Sequence, residues 1–243
     1  MSFLFGINSV LGRLQSAKGV RRLLLRDGEM SKRLEEAHEL ARVHGVKIDR
    51  LTSAEFDDMT SVNHQGLGLE VDSLSVMDES ALYGLLADPK PDLLFLILDG
   101  VTDPRNLGAC LRSAATLGAD AVIQPKDRSA SLNDAAIKTA SGAAAAVPVI
   151  EVVNLARIME ELKQHGVWLV GTTLDATQSL DKIDMTGPIA IVMGSEDRGI
   201  RARTAKTCDH LATIPMRVTD YGFNVSVATG ICLYEVSRQR QTS

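Results

Sequence analysis

Residues 93–99 read LLFLILD, an unbroken apolar run of the kind a strand needs when both of its faces are buried. Short apolar or β-branched runs recur at 121–124, 147–152, 167–171, 188–193 and 211–214, and between most of them the apolar positions repeat at helical spacing. This alternation predicts an α/β fold: a mostly parallel sheet with helices on both faces. Upstream, 8–16 and 29–44 carry helical patterns, and 20–25, 46–51 and 67–71 read as strands, which makes a smaller α/β unit of residues 1–75. The stretch 72–91 loses both periods and ends in ADPKPD. Its two prolines, Pro89 and Pro91, suit a linker at 76–91, so the second domain spans 92–243.

The last strand feeds the last helix through a tight loop, TIPMRVTDYGFNVSVATG (Thr213–Gly230). Asn224 stands where an N-cap belongs, and a helical pattern runs from it to about Arg238. The helix opens on small and β-branched residues, and Gly230 inside it costs about 1 kcal/mol relative to alanine, so close packing is expected there. Taken alone, the stretch needs only a capping asparagine and a crowded core.

Composition narrows the class. A 45% hydrophobic content and 23% charge suit a globular protein with one large core or two modest ones. Cys110, Cys208 and Cys232 lie far apart without C-x-x-C spacing, so neither a disulfide framework nor a metal site is expected. No run approaches the roughly 18 apolar residues of a membrane span, and the first residues lack the pattern of a secretory signal, which points to the cytoplasm. The net charge of −5 argues mildly against nucleic acid, but placement matters more than the total. Between Leu11 and Arg50, ten Lys or Arg stand against six acids, and Arg198, Arg201, Arg203, Lys206 and Arg217 have only Asp209 among them. Solvated helix faces often produce one such cluster; two in an acidic protein are more notable.

Ligands of parallel α/β sheets bind at the carboxyl ends of the strands, and three of those ends carry polar, glycine-bearing loops. After Asp99 comes GVTDPRNLGACLRSAATLG, where Pro104 shapes a turn, Asn106 or its neighbour starts a helix, and Arg112 follows six residues on. After Met193 comes GSEDRGIR, in which Gly194 and Gly199 bracket a loop whose backbone can lie against a flat ligand. The third is the loop before Asn224. Singly, each residue is explained as a turn glycine, a cap or a solvated Glu196.

Together, DGVTDPRNLGACLRSA, IVMGSEDRGI and IPM followed by FNVSVATGICLYE resemble the three ordered motifs of the SPOUT superfamily of RNA methyltransferases, in its TrmH branch. HQGLGLEV at His64–Val71 and DRSASLN at Asp127–Asn133 make the chain most similar to the members of that branch that methylate guanosine in bacterial 23S rRNA. The resemblance covers essentially the whole chain, more loosely in its N-terminal part. It implies an S-adenosylmethionine-dependent 2′-O-ribose methyltransferase working as a homodimer. The N-terminal domain would bind RNA and be similar to ribosomal protein L30e; the C-terminal one would be tied in a deep trefoil knot.

The same resemblance places Gly194, Ile214, Met216 and Phe223 around the cofactor, and Asn106, Arg112, Glu196 and Asn224 on catalytic or substrate-organising positions. It departs from the branch at Gly222, where a serine is usual. The missing hydroxyl would come from water or Tyr221, or not at all. The branch often gives Arg112 the role of base; a guanidinium stays protonated, so phosphate binding and stabilisation of developing negative charge is the better expectation. Asn106 and Glu196 would orient the ribose and Arg112. A dinucleotide-dependent oxidoreductase is disfavoured: no G-x-G-x-x-G occurs, and Gly66-Leu67-Gly68 lacks the third glycine. A tRNA 2′-O-methyltransferase and a cofactor-free RNA-binding or ribosome-assembly protein are the remaining alternatives.

Overall fold

A computed structural model describes residues 2–17, 19–60, 64–71, 76–218 and 222–242. The chain divides into two compact units, Met1–Ser75 with Ser141–Ala146, and Val76–Ala140 with Val147–Ser243.

The first unit runs β1 (Ser2–Phe5), α1 (Ile7–Ser16), β2 (Val20–Arg26), α2 (Lys32–Val43), β3 (Lys47–Leu51), α3 (Ser53–Met59) and β4 (Leu67–Val71). Its sheet has the order β1-β4-β2-β3, with β2 and β3 parallel and β4 antiparallel to both β1 and β2. Leu23, Leu25, Leu67 and Leu69 are fully buried, as are Val10 and Leu14 of α1 and Ala37 and Ala41 of α2, pairs one helical turn apart. The basic excess expected here is partly neutralised. Arg22 pairs with Asp49 and Glu70, Arg33 with Glu36, Arg42 with Glu39 and Lys47 with Asp49, while Lys18 lies outside the described residues.

The second unit runs α4 (Glu79–Ala87), β5 (Leu94–Asp99), α5 (Pro104–Thr116), β6 (Ala121–Pro125), α6 (Asp134–Ala140), β7 (Val149–Val152), α7 (Leu155–Gln164), β8 (Trp168–Thr172), β9 (Gln178–Ser179), β10 (Ile189–Gly194), α8 (Ala202–Thr207), β11 (His210–Thr213) and α9 (Val225–Thr242). Its seven strands are ordered β7-β6-β5-β10-β8-β11-β9 and every pairing is parallel, so their carboxyl ends share one edge. In β5, Phe95 and Ile97 join a core with Leu82 and Leu86 of α4 and Ile158, Met159 and Leu162 of α7. Leu94, Leu96 and Leu98 alternate to the opposite face, which α5 and α9 cover, with α6 packed on α5. A Cβ at Gly108 would lie 2.4 Å from the Ala136 carbonyl oxygen, so only glycine lets α5 and α6 pack this closely.

Residues 76–91, expected as linker, contain α4, and Met77 adds a bridge to the edge strand β7 through Met77 N to Val149 O at 2.7 Å and Glu151 N to Met77 O at 2.8 Å. A helix of nine residues is too short for its buried Leu82 and Leu86 to display a period. No helix among the described residues is long and apolar enough to cross a membrane.

Candidate active site

Three loops at the carboxyl edge bring Asn106, Glu196 and Asn224 together. At the end of β5, Asp99 is fully buried; its carboxylate accepts from Arg201 N at 3.0 Å and pairs with the Arg201 guanidinium at 3.2 Å, tying the β10 loop to β5. The helix behind β5 starts earlier than expected. Asp103 is its cap, accepting from Arg105 N at 2.8 Å, and Pro104 takes the first helical position, where a missing N–H is harmless. Asn106 is thereby released from capping. Its Nδ2 donates to Glu196 Oε1, and its Oδ1 accepts from Asn224 Nδ2 at 3.2 Å.

Asn224 does two things at once. Its Oδ1 caps α9, accepting from Ser226 N at 2.9 Å and Ser226 Oγ at 2.6 Å, while its amide nitrogen reaches Asn106. The direction of this relay is fixed by its ends. Glu196 ionised can only accept and the Ser226 N–H can only donate, so neither asparagine amide can flip without losing a bond.

Beside the relay lies a cavity of about 300 Å³. Gly194, Ile214, Met216 and Phe223 all line it, as does Glu196. Its wall is mixed: Leu174, Met193 and Phe223 are apolar, while Asp175 and Glu196 present carboxylates. Gly194 has a reason beyond any ligand. A Cβ there would sit 2.0 Å from Gly199 C and 2.1 Å from Ile200 N, because the loop folds back on β10 through Ser195 N to Gly199 O at 3.2 Å and Gly199 N to Ser195 O at 2.8 Å. Gly222 also lines the cavity, and a Cβ at that position would have Leu174 Cδ1 as its nearest neighbour, 3.7 Å away; Tyr221 lies outside the described residues. The segment Thr172–Asp175 behind β8 lines the same cavity, although no motif in the sequence singles it out. Its one signal is position, since it too follows a parallel strand.

Arg112 is placed elsewhere. Six residues along α5 turn it by about 240° from Asn106, into a separate groove of about 570 Å³ that it shares with Ser226, Val227, Gly230 and Tyr234. Its guanidinium makes no hydrogen bond or ion pair among the described residues, so the Arg112–Glu196 contact is not formed in the single chain. The groove still adjoins the relay, because Ser226 lines it and bonds Asn224. A Cβ at Gly230 would stand 3.5 Å from Ser113 Oγ, ordinary contact distance, so the packing of α9 on α5 does not require glycine there.

The thiols stay out of the chemistry. Burial pushes Cys110 up to about 11 and Cys208 and Cys232 up to about 12, which leaves all three protonated at neutral pH. Among the described residues no group of three or more His, Cys, Asp or Glu is placed to hold a metal ion.

Comparison with known proteins identifies the family. The SpoU rRNA Methylase family model matches residues 93–234, and the model for RNA 2′-O ribose methyltransferase substrate binding matches residues 3–77. The 23S rRNA (guanosine-2′-O-)-methyltransferase RlmB of Coxiella burnetii is 45% identical over 239 residues, covering 98% of this chain and 96% of that protein. The same enzyme of Pseudomonas putida is 44% identical with the same coverage. Among solved structures, the SpoU methyltransferase AviRb from Streptomyces viridochromogenes in complex with AdoMet superimposes with a TM-score of 0.77 at 23% identity, over 99% of this chain and 91% of that one. The AdoMet-bound rRNA methyltransferase from Sinorhizobium meliloti does so with 0.72 at 23%, over 97% and 86%. At that identity the structures speak to the fold alone.

Proposed function

The chain belongs to the SpoU rRNA Methylase family, and from that premise we propose that it methylates the ribose 2′-oxygen of a guanosine in 23S rRNA, with S-adenosylmethionine as donor. One observation carries the reading: the relay Glu196–Asn106–Asn224 stands on the rim of the cavity that Gly194, Ile214, Met216 and Phe223 line. The cavity fits the donor by its chemistry. Phe223, Ile214 and Leu174 offer an apolar wall for an adenine, and Asp175 and Glu196 offer negative charge to the donor's ammonium and sulfonium groups. The donor supplies a methyl group on a positively charged sulfur.

The chain's own residues do the rest. Asn106 and Asn224, held in one orientation by the relay, hydrogen-bond the target ribose and set its 2′-oxygen in line, which removes the entropic cost of alignment at the moment of reaction. Glu196, bonded to Asn106, fixes that orientation. Arg112, in the groove that adjoins the relay, binds the phosphate next to the target nucleotide. The groove around Arg112, with Val227 and Tyr234 exposed on α9, is where a second copy of the chain packs, so a homodimer brings Arg112 into an enclosed site. The residue 3–77 region, which matches a substrate-binding family, captures folded rRNA. Work on rRNA places the protein in the cytoplasm.

The test is transfer of labelled methyl from S-adenosylmethionine to unmodified 23S rRNA and to tRNA transcripts, with donor binding followed by calorimetry. Incorporation into 23S rRNA alone, abolished in Arg112→Ala with donor affinity intact, is expected. Heatless titration with donor would instead identify a cofactor-free RNA-binding protein, and incorporation into tRNA alone would replace the substrate.

A further inference from the structure

Cations of the second unit are distributed unevenly between the two edges of its sheet. Near the amino edge several are held by the fold: Lys90 pairs with Asp120 at 2.6 Å, Lys163 with Asp209 at 3.0 Å, and Arg240 donates to the carbonyls of Asp92 and Gly187 at 2.6 and 2.8 Å. At the carboxyl edge, Arg105, Lys126, Arg128 and Arg198 are exposed, and none of their side chains has an ion pair or hydrogen bond among the described residues. These four follow β5, β6 and β10, three neighbouring parallel strands. Asn106 and Glu196 stand among them.

The loop behind β6 is built to hold its charges still. Lys126 N donates to Val152 O at 2.9 Å, Ala130 N donates to Val101 O at 2.8 Å, and the buried Gln124 amide donates to Ala130 O at 3.0 Å. The loop is thus fastened to β7 on one side and to the segment before Asn106 on the other. Between these ties Arg128 adopts a left-handed backbone, φ 61°, which an arginine reaches at a cost that asparagine or glycine does not bear in full. An arginine held in that conformation at an exposed loop tip makes no side-chain hydrogen bond or ion pair among the described residues to offset the cost, which points to a use outside the fold.

We infer that the loop from Lys126 to Asn133, through Lys126 and Arg128, grips the phosphodiester backbone of the RNA substrate on one flank of the target nucleotide, with Arg198 on the other flank. This inference rests on the proposed methyltransferase reading and adds to it a second RNA-contacting surface, in the catalytic unit itself. Cations left without intramolecular partners at a fixed spacing release counterions on meeting phosphate, and the gain is the same for any sequence. Asp127 between them opposes it.

The test uses the full chain, an unmodified 23S rRNA transcript as probe, and affinity measured over a range of KCl concentrations. Arg128→Asn should melt at or above the wild-type temperature, because asparagine suits the left-handed position. It should bind the transcript about tenfold more weakly at 0.1 M salt, with the slope of log K against log salt reduced by about 0.7–0.9. Lys126→Ala should add a similar loss, Asp127→Asn should tighten binding, and Lys90→Ala, near the amino edge, should change nothing. S-adenosylmethionine affinity should be constant throughout. An Arg128→Asn, Lys126→Ala double variant with wild-type affinity and slope would overturn the inference while leaving methylation by the wild-type chain to stand. A lowered slope in a protein that fails to methylate rRNA would keep the surface and remove the enzymatic reading.

Discussion

Replacing Gly194 by alanine puts the closest contact in the second unit to the test. The added Cβ would lie 2.0, 2.1 and 2.4 Å from Gly199 C, Ile200 N and Gly199 O, all backbone atoms, where carbon contacts normally rest at about 3.5–4.0 Å. The returning strand of the loop must therefore retreat by more than about 1 Å, and the reciprocal bonds between Ser195 and Gly199, at 3.2 and 2.8 Å, cannot both survive. Each such bond contributes roughly 0.5–1.5 kcal/mol and the overpacking costs about 1–3 kcal/mol more, so a loss of about 2–4 kcal/mol is expected. That lowers the melting transition on the order of 10 °C. Because Glu196 rides on the same loop, donor binding should fall with stability. Two glycines of the same region calibrate the result. At Gly171 the Cβ meets only side-chain ends, Cys208 Sγ and Leu211 Cδ2 at 2.9 Å, and alanine should cost about 1–2 kcal/mol. At Gly222 the nearest atom is 3.7 Å away, and alanine or serine should shift stability by no more than about 0.5 kcal/mol. Scanning calorimetry with and without S-adenosylmethionine reads all three. Gly194→Ala melting together with Gly222→Ala, and binding donor as wild type does, would refute the steric reasoning.

Asn224→Ala removes both a cap and a bridge and should cost about 1 kcal/mol of stability along with most turnover; Asn224→Ser, keeping a capping oxygen, should recover the stability in denaturant titration but not the rate. Gly230→Ala has room at 3.5 Å from Ser113 Oγ and should stabilise the isolated chain by about 1 kcal/mol, while sedimentation should show weaker dimerisation if a second copy packs into that groove. The buried thiols make stability fall in alkali. In the unfolded chain they ionise at about 8.5, whereas in the folded chain Cys110 holds its proton to about 11 and Cys232 to about 12, so their contribution is complete below pH 8 and is lost as pH rises through that window. Unfolding followed against pH should steepen there, and less so in Cys232→Ala.

What the sequence made legible was whatever has a local cause. The continuous apolar run of β5 and the alternation behind it announced the parallel sheet, and position at strand ends singled out Gly194, Glu196 and Asn224. Short elements stayed hidden because their periods are too brief. β1 has four residues, and α3 buries only Phe56; its one mark was the Thr52–Glu55 capping box, with Thr52 N to Glu55 Oε2 at 2.7 Å. The helix start at Asp103 rather than Asn106 was readable from Asp-Pro, since a proline prefers the first helical position. Arg112 illustrates the limit: spacing along α5 fixes which way it points, but not what a second chain brings to it. Gly194 illustrates another, because the atoms that forbid its side chain belong to residues that only the fold brings back.

The central claim is tested most directly by identifying the product. The chain is incubated with S-adenosylmethionine and unmodified 23S rRNA, and the RNA is digested to nucleosides and analysed by mass spectrometry. We expect 2′-O-methylguanosine, one equivalent per RNA, absent from a parallel reaction with Asn106→Ala. Methylation on a base, or an unmodified RNA despite measurable donor binding, would contradict the assignment of Asn106, Glu196 and Asn224 to a ribose oxygen.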